Sequence, residues 1–173
     1  DLALLERRHR LVQEREGVRV DGQLLARYKF SHILFQRYLY GALSAAERRR
    51  LHAEMAQILE ELYAGRTGEI AVQLAGHYAA AEEREKAAEY LHQAGDRARG
   101  LFACPEAIDY YERALACLQA LGEHEQAARM LMKLGLTYHL AHDFRGARQA
   151  YEEGFALWQR AGLHSLKPAG RDS

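Results

Sequence analysis

The chain has 173 residues, and its 24 Lys+Arg are balanced by 24 Asp+Glu, so it lacks the basic excess with which nucleic-acid-binding domains displace counterions from phosphates. Its longest apolar runs, such as Ile33-Leu34-Phe35, fall far short of the ~18 residues a membrane span needs, and no charged-then-apolar leader opens it. Cys104 and Cys117 lie thirteen apart on one expected helix, where they point in different directions; this excludes a bridge that leaves the helix intact and reads as two reduced cytosolic thiols.

Charge is uneven along the chain. Residues 1–50 hold 11 Lys+Arg against 6 Asp+Glu, a net of +5, and residues 51–173 hold 13 against 18, a net of −5, as expected of two different modules. The opening Asp1-Leu2-Ala3-Leu4 has no Met and is already helical in pattern, which reads as a part cut from a longer protein; a helix is expected over 1–10. The stretches 11–16 and 24–30 then partly alternate apolar with polar, and Asp21-Gly22 between them supplies the positive φ of a tight hairpin turn, so a two-stranded wing follows. Ser31 is placed to cap a helix over 33–43. Ser44 and Glu47 have the spacing of a capping box, starting a helix near Ala45 that stops at Gly65. Beyond that point every segment reads as helix, at about 68–80, 84–101, 105–121, 124–141 and 144–161, with Pro105 in a first turn, Asp143 at a cap, and a tail from 163 without core-forming pattern.

The second half repeats itself. A shift of forty residues superposes Leu91 on Leu131, Gly95 on Gly135, Ala107 on Ala147, Tyr111 on Tyr151, Leu115 on Phe155 and Leu118 on Trp158. Small residues at a helix crossing let two backbones approach, and the Tyr and large aliphatics fill the space where a hairpin widens. The pattern Leu91, Ala94-Gly95, Ala98, Ala107, Tyr111, Ala114 and its partner Leu131, Leu134-Gly135, Tyr138, Ala147, Tyr151, Gly154 resembles the tetratricopeptide repeat. The period of forty departs from the ~34 of the standard repeat, and Gln119 and Gln159 stand where its terminal Pro falls. The expected fold is therefore mainly α: an antiparallel helix-hairpin solenoid of about three hairpins over 44–162, a flexible tail over 163–173, and before them, over 1–43, a partial winged helix with a short β-hairpin.

That last element rests on a second resemblance. The succession Tyr28-Lys29-Phe30-Ser31-His32-Ile33-Leu34, Tyr38-Leu39-Tyr40, Ala46-Glu47-Arg48-Arg49-Arg50-Leu51-His52 and Leu74-Ala75-Gly76-His77-Tyr78 resembles bacterial signal-transduction ATPases of the STAND class, in which a nucleotide-binding domain, a winged helix and a tetratricopeptide sensor array follow one another, often beside a cyclase or transcription-regulator domain. The resemblance implies a cytoplasmic sensor segment that couples partner or ligand binding to a nucleotide switch. It also implies a phosphate contact for His32 in the parent protein, with Ile33 standing where that class has an acidic residue; read from the residues alone, His32 caps or packs at a strand-to-helix junction. From the repeat family it implies an inner, concave face made of Glu89, His92, Asp96 and Arg99, then Arg129, Met132, Leu136 and His139, either holding a protein or peptide or simply solvated.

Other constellations point to bland roles. His139 and His142 lack a third ligand, so no metal is expected; Arg48-Arg49-Arg50 fan around a helix axis as a solvated face; the basic wing residues Arg15, Arg19, Arg27 and Lys29 belong to a module that in this class packs and does not read DNA. No Gly-rich phosphate loop is present, and Ser31, Ser44, Ser165 and Ser173 stand in caps or the tail without a base. The expected segment is non-catalytic and without a cofactor of its own, with ADP or ATP belonging to the parent protein and a neighbouring nucleotide-binding domain as a partner. A stand-alone adaptor and part of a DNA-binding regulator are the competing readings.

Overall fold

The computed structural model describes residues 12–20 and 23–165. The chain divides into two compact units, residues 1–65 and 66–173. In the first, strands β1 (Val12–Val20) and β2 (Gln23–Phe30) pair antiparallel, from Val12 opposite Phe30 to Val20 opposite Gln23. The register shifts between Arg15 and Val18, around Gly17. The expected hairpin is therefore present and longer than the alternation alone indicated; the expected helix over 1–10 and the Asp21-Gly22 turn lie outside the described residues.

Helix α1 (Ile33–Ala42) follows, capped one residue later than expected. His32, in extended conformation, and not Ser31, is the N-cap, and its Nδ1 accepts the Leu34 amide proton at 3.1 Å. A ring nitrogen reaches the amide two residues on as a short hydroxyl would, so the His displaces Ser31 from the role. Helix α2 (Ala45–Leu62) opens with the full capping box: Glu47 N–H donates to Ser44 Oγ at 3.2 Å and Ser44 N–H donates to Glu47 Oε2 at 2.8 Å. Arg48 braces the corner between the helices, donating from Nε to the Leu43 carbonyl at 3.0 Å with its guanidinium 5.1 Å above the Tyr40 ring.

The second unit starts with a 3-10 turn at Thr67–Glu69 and continues as α3 (Ala71–Ala80), α4 (Arg84–Gly100), α5 (Cys104–Leu121), α6 (His124–Leu140) and α7 (Phe144–Ser165). Each helix packs on the next in sequence. Hairpins α4/α5 and α6/α7 superpose on the forty-residue repeat, which makes the unit a tetratricopeptide-like helical solenoid. Its core is built largely from alanines, among them Ala87, Ala94, Ala107, Ala114, Ala127 and Ala147, with Tyr111 and Leu131 as large buried fillers. Small side chains bring helix axes close, and each buried methyl group removed from water adds roughly 0.8 kcal/mol. At the first crossing Gly95 faces the Tyr111 ring, and at the second Gly135 faces Tyr151 in the same way. The two crossings are one packing solution used twice.

The turns repeat on half that period. Glu82, Phe102, Gly122 and His142 all take positive φ, between 58° and 77°, twenty residues apart. At each one the following amide closes a 6→1 bond onto the helix just ended: Glu83 to Tyr78, Ala103 to Ala98, Glu123 to Leu118 and Asp143 to Tyr138, at 2.9–3.0 Å. These are Schellman stops, in which a left-handed residue satisfies orphan carbonyls. Only Gly122 adopts that conformation without a Cβ penalty. Phe102→Gly is expected to raise stability by about 0.5–1 kcal/mol, because Phe102 is 83% exposed and little burial is lost with its ring. A thermal melt of the variant that shows no gain, or a loss, would count against strain at this turn.

The two ends of one seam differ. Leu118 on α5 is covered, at 5% exposure, whereas its repeat counterpart Trp158 on α7 is 62% exposed and Phe155 beside it 56%. Helix α6 packs on α5, and no helix beyond α7 lies among the described residues. No helix among them is long and apolar enough to cross a membrane.

Candidate functional site

Alpha-helical hairpins that stack side by side leave their first helices adjacent, and here α4 and α6 flank a groove of about 770 Å³. Its walls carry Glu85, Lys86, Glu89 and His92 from α4, Glu123 at the N-cap of α6, and Glu125, Arg129 and Lys133 from α6 itself. The floor is apolar: Ala88, Leu118, Leu121 and Met130. A pocket of this size with an apolar base and polar rim suits a ligand of a few residues or a small molecule.

At the inner end of the groove a polar cluster ties the two hairpins together. Lys133 Nζ donates to both oxygens of Asp96, at 2.8 and 2.7 Å, and meets His92 Nε2. Tyr111 O–H donates to Asp96 Oδ1 at 2.6 Å, and His92 Nε2 lies 3.2 Å from Asp96 Oδ2. Arg99 approaches the same carboxylate at 3.8 Å. Asp96 thus accepts from the helix it packs against, α5, and from the next hairpin, α6. Tyr138 makes a second tie, donating to Glu112 of α5 at 2.6 Å.

The electrostatics of the cluster follow from this geometry. Burial, then the Lys133 and Arg99 cations, push the His92 imidazole below its ordinary 6.5 against the opposing pull of Asp96. Burial raises the Asp96 carboxyl, yet the Lys133 and Tyr111 bonds outweigh it and hold the group below 3.8. Burial and the Asp96 bond raise the Tyr111 hydroxyl, and burial together with Glu112 pushes Tyr138 up to about 12.

Both His92 and Asp96 bind protons more readily in the unfolded chain. The contribution of these two groups to stability is accordingly full above about pH 6.5, declines below that point because the unfolded chain binds the His92 proton more tightly, and declines again below about pH 3.8 through Asp96. Midpoints of urea unfolding between pH 8 and pH 3 are expected to show both stages, and His92→Gln to remove the first alone. A flat profile from pH 8 to pH 5 in the unmodified protein would refute the depressed imidazole.

Of the residues expected on the inner face, Glu89, His92 and Arg129 line the groove, while Asp96 and Arg99 meet at its inner cluster. Met132, Leu136 and His139 do not line it: the Met132 sulfur lies 3.4 Å from where a Cβ of Gly154 on α7 would stand, Leu136 is exposed, and the His139 ring sits edge-on to Phe144 at 5.3 Å, as does His142 at 6.2 Å. Lys133, Glu85 and Glu123 were not anticipated. Lys133 belongs to the cluster because Asp96 lies opposite it, thirty-seven positions away in sequence, and no local pattern announces such a pair. His32 serves as the α1 cap, its ring edge-on to Phe35 at 6.4 Å. Arg50 pairs with Glu54 at 2.7 Å on the α2 surface. Cys104 and Cys117 are free, and burial raises the Cys117 thiol, which leaves it a poor nucleophile.

Comparison with known proteins agrees with the fold. Residues 103–160, spanning α5 to α7, match the tetratricopeptide repeat family. Among solved structures the chain is similar to the crystal structure of BtubC (BKLC) from P. vanneervenii, with 20% identity and a TM-score of 0.50; the match covers 81% of this chain and 57% of that one. The chain thus spans little more than half the length of that protein. No curated protein matches it.

Proposed function

We propose that this chain is a protein-interaction module whose α4/α6 groove holds a segment of a partner protein, and that it serves as the sensor part of a larger cytoplasmic signalling ATPase of the STAND class. The observation that carries the interaction reading is the groove itself: an apolar floor with a charged rim, built where two repeats meet. The order of short motifs from Tyr28 to Tyr78 supports the finer reading. In it, binding on the array alters how the module engages a nucleotide-binding domain of the parent chain, the module itself carrying out no chemistry. His32, which uses Nδ1 to cap α1, would present Nε2 to a nucleotide phosphate.

Selection from an unbiased displayed peptide library tests the groove. Selected peptides are expected to lose binding by about tenfold or more when the exposed wall residue Gln126 is replaced in Gln126→Trp, which fills the space with a ring. Peptides indifferent to that change, or none selected, would refute the groove as the binding surface. For the signalling context, the coding sequence upstream of Asp1 is expected to encode a Gly-rich phosphate loop, and His32→Ala in the parent protein to raise basal activation. An upstream frame without such a loop would point to a stand-alone adaptor.

A further inference from the structure

The groove's charges are not equally available. Lys133 is held by both Asp96 oxygens, Arg129 is paired with Glu125 at 2.5 Å, and Lys86 lies over the rings of Tyr78 and Tyr90 at 5.8 and 5.9 Å. Three carboxylates on the rim are in the opposite position. Glu89 accepts only from the neutral amide of Gln93 at 3.5 Å, Glu123 only from that of Gln126 at 3.4 Å, and Glu85 has no ion-pair partner among the described residues. Every cation of the groove has a partner within the fold, and these three anions have no cationic partner among the described residues. We infer that the partner segment is basic: an extended stretch with Lys or Arg at alternate positions.

The spacing fits such a chain. Glu85 and Glu89 stand one helical turn apart on the same wall, about 6 Å between their Cβ atoms. In an extended peptide, residues i and i+2 point the same way at about 6.7 Å, so two basic side chains can meet the two carboxylates together. The residue between them points away from both carboxylates, and half-buried Leu121 is among the apolar side chains that line the groove. An acidic segment would meet the same three carboxylates while every cation stayed engaged, a like-charge arrangement that opposes binding. This inference rests on the groove reading above and adds the charge of the occupant.

The test uses isothermal titration of the full chain, at low salt, with two defined peptides, acetyl-Lys-Leu-Lys-Leu-Lys-amide and its counterpart with Glu in place of each Lys. The Lys peptide is expected to bind about tenfold or more tighter, as two weak exposed ion pairs with Glu85 and Glu89 allow, and to lose about as much in the double variant Glu85→Lys/Glu89→Lys. Glu153→Lys, on the exposed surface of α7, carries a charge reversal outside the groove and is expected to leave binding unchanged. Both Glu85 and Glu89 are exposed, and circular dichroism verifies that the variants remain folded. A Glu peptide that binds as tightly, or the absence of binding by either peptide while library-selected peptides still respond to Gln126→Trp, overturns the basic preference and leaves the groove reading standing. Equal losses in the groove variant and in Glu153→Lys overturn the inference as nonspecific attraction.

Discussion

Tyr111→Ala is expected to cost the array about 3–5 kcal/mol, read as a lower urea midpoint at unchanged slope. Tyr111 has no exposed surface, covers Gly95 with its ring, and donates to Asp96, the carboxylate on which Lys133 converges. Truncation therefore opens a cavity at the α4/α5 crossing and removes one donor from the bond network joining the two hairpins. Tyr111→Phe separates these effects, since it keeps the ring and removes only the hydroxyl, at about 1–2 kcal/mol. If the alanine variant lost less than the phenylalanine variant, the packing described for this crossing would be wrong.

Gly95→Ala tests the same contact from the other side. A methyl group there would stand 2.5 and 2.6 Å from two ring carbons of Tyr111, and the Asp96 bond together with complete burial keeps that ring from swinging away. Overpacking of this kind costs about 1–3 kcal/mol, enough to exceed the ~1 kcal/mol that alanine gains over glycine within a helix. Gly135→Ala makes the equivalent clash with Tyr151, at 2.6 and 2.7 Å, but that ring is only half-buried and can yield. The expected order is thus a net loss for Gly95→Ala, near neutrality for Gly135→Ala, and a gain for Gly76→Ala on α3, where nothing lies within 4 Å. Thermal melts of the three variants check the order, and a gain for Gly95→Ala would refute the close approach.

The repeat was legible because its packing depends on residue size at fixed offsets: Gly95, Ala107, Tyr111 and Ala114 mark one crossing in sequence as plainly as in space. The Ser44/Glu47 box was legible for a similar reason, since both partners lie within one turn. What escaped were features whose determinants are distant or unconventional. Three of the four left-handed turn residues, Glu82, Phe102 and His142, carry side chains that do not signal positive φ; the surrounding hairpin imposes it. The cap on α1 was half legible: it was expected of Ser31, while His32, read from the residues alone as capping or packing at this junction, is the residue that fills it. Of the positions assigned by family pattern, Glu89, His92 and Arg129 line the groove, and Met132 lies against Gly154 of α7. Lys133 lies one residue beyond the assigned positions, and its partner Asp96 is brought to it only when the hairpins stack.

Trp158 is the chain's single tryptophan, and it stands in water on α7 where its counterpart Leu118 is covered. That placement gives the molecule a built-in optical reporter on the last of the described helices. Its emission should be that of a hydrated indole, shifting toward the blue when another surface settles on α7 and holding steady when a peptide enters the groove between α4 and α6. A single spectrum can therefore distinguish assembly on α7 from recognition in the groove without any label.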